Sequence, residues 1–331
     1  AIELDPNLFE ADVTLYRSYL QEKRFKEARE LAGNLDKKDR DSSQGANLIA
    51  MTYLAEENKK QALVELTSTL QRFPADVFTS HNLARIYLQE NELAKAKNLY
   101  EKVLEKSPSH LQTLTQLAVI AARENNQDQL TLRLKQAQER NPDELSPRVT
   151  LALHYLKQNE GNQAVLVLND VKPEQKELPG YILLMAQAKL TVKEQQHAAR
   201  LLKSLIARNP NIPAAHFLLA QAYALDNESS KMHESLQKTI DLVPDHLAAN
   251  IIMARLNLHE GKIEDFKKRV AYLDSTFPEN QDVQFLKAKL ASGERNYGRA
   301  IDTLSSLMAQ APNTDVIIDL SRNQWQSGDR D

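Results

Sequence analysis

The side chains able to do chemistry are few and scattered. Eight histidines, His81, His110, His154, His197, His216, His233, His246 and His259, stand among 331 residues. No two lie four apart, so no helix face offers a two-imidazole grip on a metal, and HExxH is absent. His110 and His246 each follow a proline by two residues and are expected in loops, solvated or locally bonded. Neighbouring acids such as Glu56–Glu57 and Asp39–Asp41 read as solvated faces rather than as acid–base pairs. Cysteine is absent, which removes a thiol nucleophile, disulfides and thiolate metal sites from this chain. Neither a Gly-rich phosphate loop nor GxSxG occurs. The expectation is a chain that is not an enzyme, with no catalytic residue, cofactor or metal, whose work is binding.

The elements that would present a binding surface are legible in Leu83 to Pro108, LARIYLQENELAKAKNLYEKVLEKSP. At helical spacing Leu83, Ala84, Tyr87 and Leu88 share one face, and Ala96, Leu99, Tyr100, Val103 and Leu104 share another. QENE breaks the two segments, and Pro108 stops the second, because proline lacks the N–H that a continuing helix needs. A hairpin this small cannot bury its apolar faces alone and needs copies alongside.

The copies are present on a 34-residue grid. Pro6, Pro74, Pro108, Pro142, Pro210, Pro244, Pro278 and Pro312 fall on it, and only Arg40 and Lys176 break the series. Twenty-four residues before the proline slot come Ala50, Ala84, Ala118, Ala152, Ala186, Ala220, Ala254 and Ala288. Three residues later come Tyr19, Tyr53, Tyr87, Tyr155 and Tyr223. Nine residues beyond the tyrosine slot stand Ala28, Ala62, Ala96, Ala164, Ala198 and Ala300. No insertion shifts the grid over nine copies, Phe9 to Pro312. Alanine at a helix crossing lets the axes approach, while Leu and Tyr fill the space between hairpins.

Period and residues together resemble the tetratricopeptide repeat, across essentially the whole chain. The main departure is the opening large residue, usually Trp in that family, which here is Ala46, Ser80, His216 or Asn250. The resemblance implies an all-α, right-handed superhelix (an α-solenoid) of about nine helix-turn-helix repeats, with partial repeats at both ends. Ala1 to Pro6 reads as the tail of a preceding second helix. Asp315 to Asp331 reads as a following first helix with Trp325 in the tyrosine slot. Both ends suggest a segment of a longer array.

The array is expected to be one superhelix over 1–331, with Lys172 to Gly180 its one irregularity. Pro173 and Pro179 should end the second helix near Val171. That segment is either a hinge between 9–171 and 179–331 or a longer loop with unchanged stacking. The repeat closing at Pro278 carries Asn257 in place of Tyr and Phe266 in place of Ala, and should pack differently.

The resemblance further implies that first helices line a concave face through positions 2, 5, 9, 12 and 13 of each copy, counting from Phe9. Position 5 is polar early (Asn47, His81) and apolar later (Leu183, Phe217, Ile251, Phe285). Position 9 supplies Arg85, Gln187, Gln221, Arg255 and Lys289. These eleven residues are the candidate partner-binding set. The later ladder is either packing between successive first helices or an apolar groove for an amphipathic helix or extended peptide. No copy pairs Lys at position 5 with Asn at position 9, as chaperone-binding members do. Only Asn82 fits the asparagine ladder of O-linked sugar transferases.

Charges interleave, 42 basic against 45 acidic, with no basic run for nucleic acid and no apolar run of about 20 residues to span a membrane. The expected function is a protein–protein scaffold. Its Gln- and Asn-rich loops are similar in style to bacterial envelope lipoproteins of exopolysaccharide export and exosortase (PEP-CTERM) sorting. That style implies a periplasmic setting beside polysaccharide machinery, against a cytoplasmic alternative. Two other functions stay open: the docking arm of a larger enzyme, and a direct glycan-binding module.

Overall fold

A computed structural model describes residues 9–310 and 313–328. The expectations for Pro6, Ala1 to Pro6, Pro312 and residues 329–331 lie outside the described residues. Every regular element among the described residues is an α-helix, and the chain divides into two compact units, 1–154 and 155–331. The division falls inside a helix, whereas the sequence placed its irregular segment at 172–180.

The first unit contains α1 (Phe9–Gln21), α2 (Phe25–Lys38), α3 (Gln44–Ala55), α4 (Lys59–Arg72), α5 (Val77–Gln89), α6 (Leu93–Lys106), α7 (Leu111–Arg123) and α8 (Gln127–Arg140). The dividing helix is α9 (Leu145–Lys157). The second unit continues with α10 (Gly161–Asn169), α11 (Pro173–Lys176), α12 (Pro179–Thr191), α13 (Gln195–Arg208), α14 (Pro213–Leu225) and α15 (Ser229–Leu242). It ends with α16 (Leu247–His259), α17 (Ile263–Thr276), α18 (Gln281–Gly293), α19 (Tyr297–Gln310) and α20 (Thr314–Ser327). Within each unit helices pack on their sequence neighbours, so each unit is a stack of hairpins, a helical solenoid.

One backbone device turns every hairpin. The fifteenth residue of each repeat adopts the left-handed conformation: Lys23, Glu57, Asn91, Asn125, Asn159, Lys193, Asn227, Gly261 and Arg295, with φ between 54° and 71°. The next residue's N–H then reaches back to the carbonyl at position 11, as in Glu92 N to Tyr87 O (2.8 Å) and Glu228 N to Tyr223 O (2.9 Å). This closes the first helix with the six-to-one bond that a left-handed residue permits. Asn and Gly take that conformation at least cost, which explains the polar, Asn-rich breaks seen in the sequence.

The alanine slots are buried throughout. Ala50, Ala84, Ala152, Ala186 and Ala254 are wholly buried, as are Ala28, Ala62, Ala96, Ala164, Ala198 and Ala300. In the first copy Tyr16 takes the small slot; its buried hydroxyl donates to Leu48 O (2.8 Å) and lies 3.0 Å from Thr52 Oγ1. The closest backbone approach is at Gly45, where a Cβ would come within 2.3 Å of Asp36 N.

The slot that holds Trp in the resembled family is filled differently here. In four repeats, at Arg148, His216, Asn250 and Gln284, position 4 carries a polar side chain that donates to the carbonyl closing the preceding repeat. His216 reaches Pro210 O (2.8 Å), Asn250 reaches Pro244 O (2.8 Å), and Gln284 reaches Pro278 O. Pro108 O is instead met by Arg140 (2.7 Å), and Pro74 O by Lys106. These loop carbonyls, which the helix cannot use, thus find donors.

Around 172–180 the second helix α10 stops at Asn169, close to where the prolines were expected to end it. Pro173 and Pro179 then open α11 and α12 at their first turns, where a missing N–H costs nothing. Tyr181 folds over the shortened helix, its buried hydroxyl donating to Leu168 O (2.9 Å).

The last helix corrects one expectation. Asn313 caps α20 by accepting from Val316 N (3.0 Å), and the left-handed residue is Gly328 (φ 86°), each one residue early against the grid. Trp325 therefore sits one place past the tyrosine slot and is 68% exposed. Asn313 and Gly328 are the residue types that cap helix ends, and they outweigh the grid.

Candidate functional site

The candidate surface is the face of the first helices that no second helix covers. At position 9, Arg17, Arg85, Val119, Leu153, Gln187 and Arg255 are exposed, and Met51, Gln221 and Lys289 are half-buried. Position 5 sits one turn deeper, at the seam with position 3 of the next first helix.

In the first unit this seam is polar. Asp76 caps α5, accepting from the N–H (2.8 Å) and hydroxyl (2.7 Å) of Thr79. The Thr79 hydroxyl in turn accepts from Asn47 Nδ2 (2.8 Å), and Asn47 Oδ1 accepts from Asn82 Nδ2 (3.2 Å). One repeat on, His110 Nδ1 caps α7 by accepting from Thr113 N (3.3 Å), and Thr113 Oγ1 lies 2.8 Å from the same nitrogen. With that hydroxyl donating to His110, the 2.7 Å contact between His81 Nε2 and Thr113 Oγ1 makes His81 the donor. Burial, and then the neighbouring His110, push the His81 pKa down to about 4. His81 is therefore neutral at physiological pH. Arg85 lies on the exposed face and reaches back to Met51 Sδ (3.3 Å).

In the second unit the seam is apolar. Phe217 packs against the cluster of Ala220, Leu236, Ala249 and Met253. Ile251, 7% exposed, is part of a core with Phe266 and Val283. Phe285 packs against Ala288, Leu304, Leu307 and Val316. Leu183, Phe217 and Phe285 are half-buried, each leaving an edge on the open face. The ladder thus joins successive first helices and also lines the surface.

The flanking polar residues are already engaged. Arg255 pairs with Asp282 (2.6 Å), and Lys289 pairs with Asp319 (2.5 Å) while lying over the Phe285 ring. Gln187 is exposed and Gln221 half-buried. Arg255, Asp282 and Phe285 line one cavity of about 380 Å³ with Asn313 and Val316. Of the eleven candidates, only Arg255 and Phe285 share that cavity.

Outside the candidate set, apolar side chains are exposed on second helices, among them Val64 (55%) and Leu166 (65%), and three on first helices of the first unit. Phe78 is 68% exposed, Val119 38% and Leu153 51%. These three occupy positions 2 or 9 of first helices in the first unit. Their signal is in the sequence, since positions 2 and 9 belong to the face that the resemblance assigns to binding. Among the described residues no cluster of His, Cys, Asp and Glu could hold a metal ion, and no helix is long and apolar enough to cross a membrane.

Comparison with known proteins agrees with this architecture. Models of the tetratricopeptide repeat match residues 81–110 and 183–230, one stretch in each unit. No curated protein sequence matches the chain. Among solved structures, it is similar to a tetratricopeptide repeat protein from Parabacteroides merdae. The identity is 14%, over 74% of this chain and 97% of that one, with a TM-score of 0.59. It is also similar to PilW, described as a widely conserved type IV pilus biogenesis factor. There the identity is 17%, over 62% of this chain and 95% of that one, with a TM-score of 0.51. Both likenesses show the fold.

Proposed function

We propose that the chain is a non-catalytic scaffold that holds a protein or peptide partner on the open face of its first helices. The observation that carries this reading is that successive first helices of the first unit each expose an apolar side chain, Phe78, Val119 and Leu153. Large apolar side chains held in water on one face cost free energy that a partner recovers by covering them. An extended or helical peptide suits a row of shallow contacts repeated every hairpin. The bacterial envelope setting, and a role beside polysaccharide export or protein sorting, belong to the same proposal and rest on the style of the repeats.

Panning a peptide-display library against the full chain tests it. The account expects apolar-rich peptides that bind wild type and lose roughly tenfold or more in affinity against Phe78→Ser/Leu153→Ser, with helicity unchanged. Both side chains are exposed, so the double variant should fold. Peptides that bind the double variant equally well, or a selection that enriches nothing, would refute the reading.

A further inference from the structure

The second-helix side of the second unit holds a basic cavity that the scaffold reading does not use. It measures about 390 Å³ and lies between α15 and α17, lined by His233, Gln237, Asn257, Lys268, Arg269 and Tyr272. Its nature follows from comparing two repeats of this chain. Position 23 is arginine twice, at Arg133 and Arg269, and each faces position 25 of the preceding second helix. In the first unit that partner is Glu101, and Arg133 Nη2 pairs with its carboxylate at 2.9 Å. In the second unit the same place holds Gln237, whose amide turns away to donate to Asp241 (2.8 Å).

Arg269 makes no close ion pair among the described residues; the acid that acts on it is Asp265, one turn back on its own helix, through space rather than by a bond. Arg269 Nη1 donates to Asn250 Oδ1 (2.5 Å), while its Nε is sealed from solvent with no partner at all. Burial pushes its pKa below the usual arginine value. A half-buried guanidinium with no carboxylate in bonding contact is a place where an anion is favoured. The tyrosine slot of this repeat is Asn257, which is smaller and polar, and Lys268 and His233 add two more donors to the rim. Asp265 also lines the cavity and is the one group there that opposes an anion.

We propose that this cavity binds a small carboxylate, whose oxygens take the place beside Arg269 that Glu101 occupies beside Arg133. A carboxylate oxygen can accept from Arg269 Nη2 as Glu101 does from Arg133 Nη2, and the volume suits a small organic acid.

The experiment titrates succinate, and inorganic phosphate as a tetrahedral comparison, into the full chain at constant ionic strength. The readout is the side-chain Nε–Hε NMR signals of ¹⁵N-labelled arginine. The expected result is a saturable shift of the Arg269 signal with succinate and a weaker response to phosphate. Arg269→Gln should weaken succinate binding by roughly tenfold or more while Arg133→Gln leaves it intact. Gln237→Glu should supply the missing carboxylate from within, raising the melting temperature and abolishing the succinate response. A non-saturating shift, a stronger response to phosphate, or a Gln237→Glu variant that binds succinate as wild type does would overturn the proposal.

Discussion

At the scale of single residues, Thr79 and Thr113 each use one hydroxyl in two bonds. Toward its own helix it bonds the N-cap, Asp76 or His110; toward the preceding repeat it receives Asn47 or His81. Where position 3 is Ala249 or Val283, no hydroxyl is available, and position 5 becomes Phe217 or Ile251. The polar-to-apolar change along position 5 is therefore a matched change at two positions. His81 carries a pH signature. Its folded pKa, about 4, lies below the ordinary histidine value of 6.5, so its contribution is fully present above pH 6.5. As pH falls from 6.5 towards 4 the unfolded chain takes up a proton that the folded chain refuses, and stability drops. Over that window wild type should lose about 1–3 kcal/mol more than His81→Gln in urea denaturation. Equal losses would mean that His81 is not held neutral.

At the scale of elements, the left-handed residue of each hairpin separates what the sequence made plain from what it hid. Asn91, Asn125, Asn159 and Gly261 announce their turns by type. Lys23, Glu57, Lys193 and Arg295 adopt the same conformation without announcing it, because the six-to-one bond and the packing of both helices enforce it. Replacing Lys193 by Gly should stabilise the chain by about 0.5–1 kcal/mol, read as a higher urea midpoint, because glycine meets no Cβ penalty at positive φ. A lower midpoint would contradict this. The period, the alanine crossings and the helix-ending prolines were legible because hard-sphere packing and the missing proline N–H tie each to one residue type. The polar substitutes in the tryptophan slot were not. His216 and Asn250 bond the carbonyl of the grid proline six residues back, and residue type alone does not say that a side chain at that slot will turn back to it. The shifted register of α20 was readable in Asn313 and Gly328, yet a strict grid outweighed them. For the site, positions 5 and 9 lie on first helices, and which of them is covered depends on neighbours. Ile251 sinks into a core while Phe78 stands in water.

At the scale of the molecule, hairpins that contact only their neighbours should respond to damage locally. Gly45→Ala forces a Cβ against the Asp36 backbone and should cost about 1–3 kcal/mol. Hydrogen exchange should then speed up in α2 and α3 and stay unchanged in α7 and α8. A uniform loss of protection would show one cooperative block instead. The same modularity leaves one helix face of each repeat open, and the proposed function rests on that face being where a partner sits. The most direct measurement is photo-cross-linking with a library-selected peptide carrying a photoreactive residue, followed by mass-spectrometric mapping of the adducts. The account predicts adducts on first helices of the first unit, on Phe78, Val119 or Leu153 and their exposed neighbours such as Arg85. Adducts concentrated on the second helices, α4, α6 or α8, would contradict it.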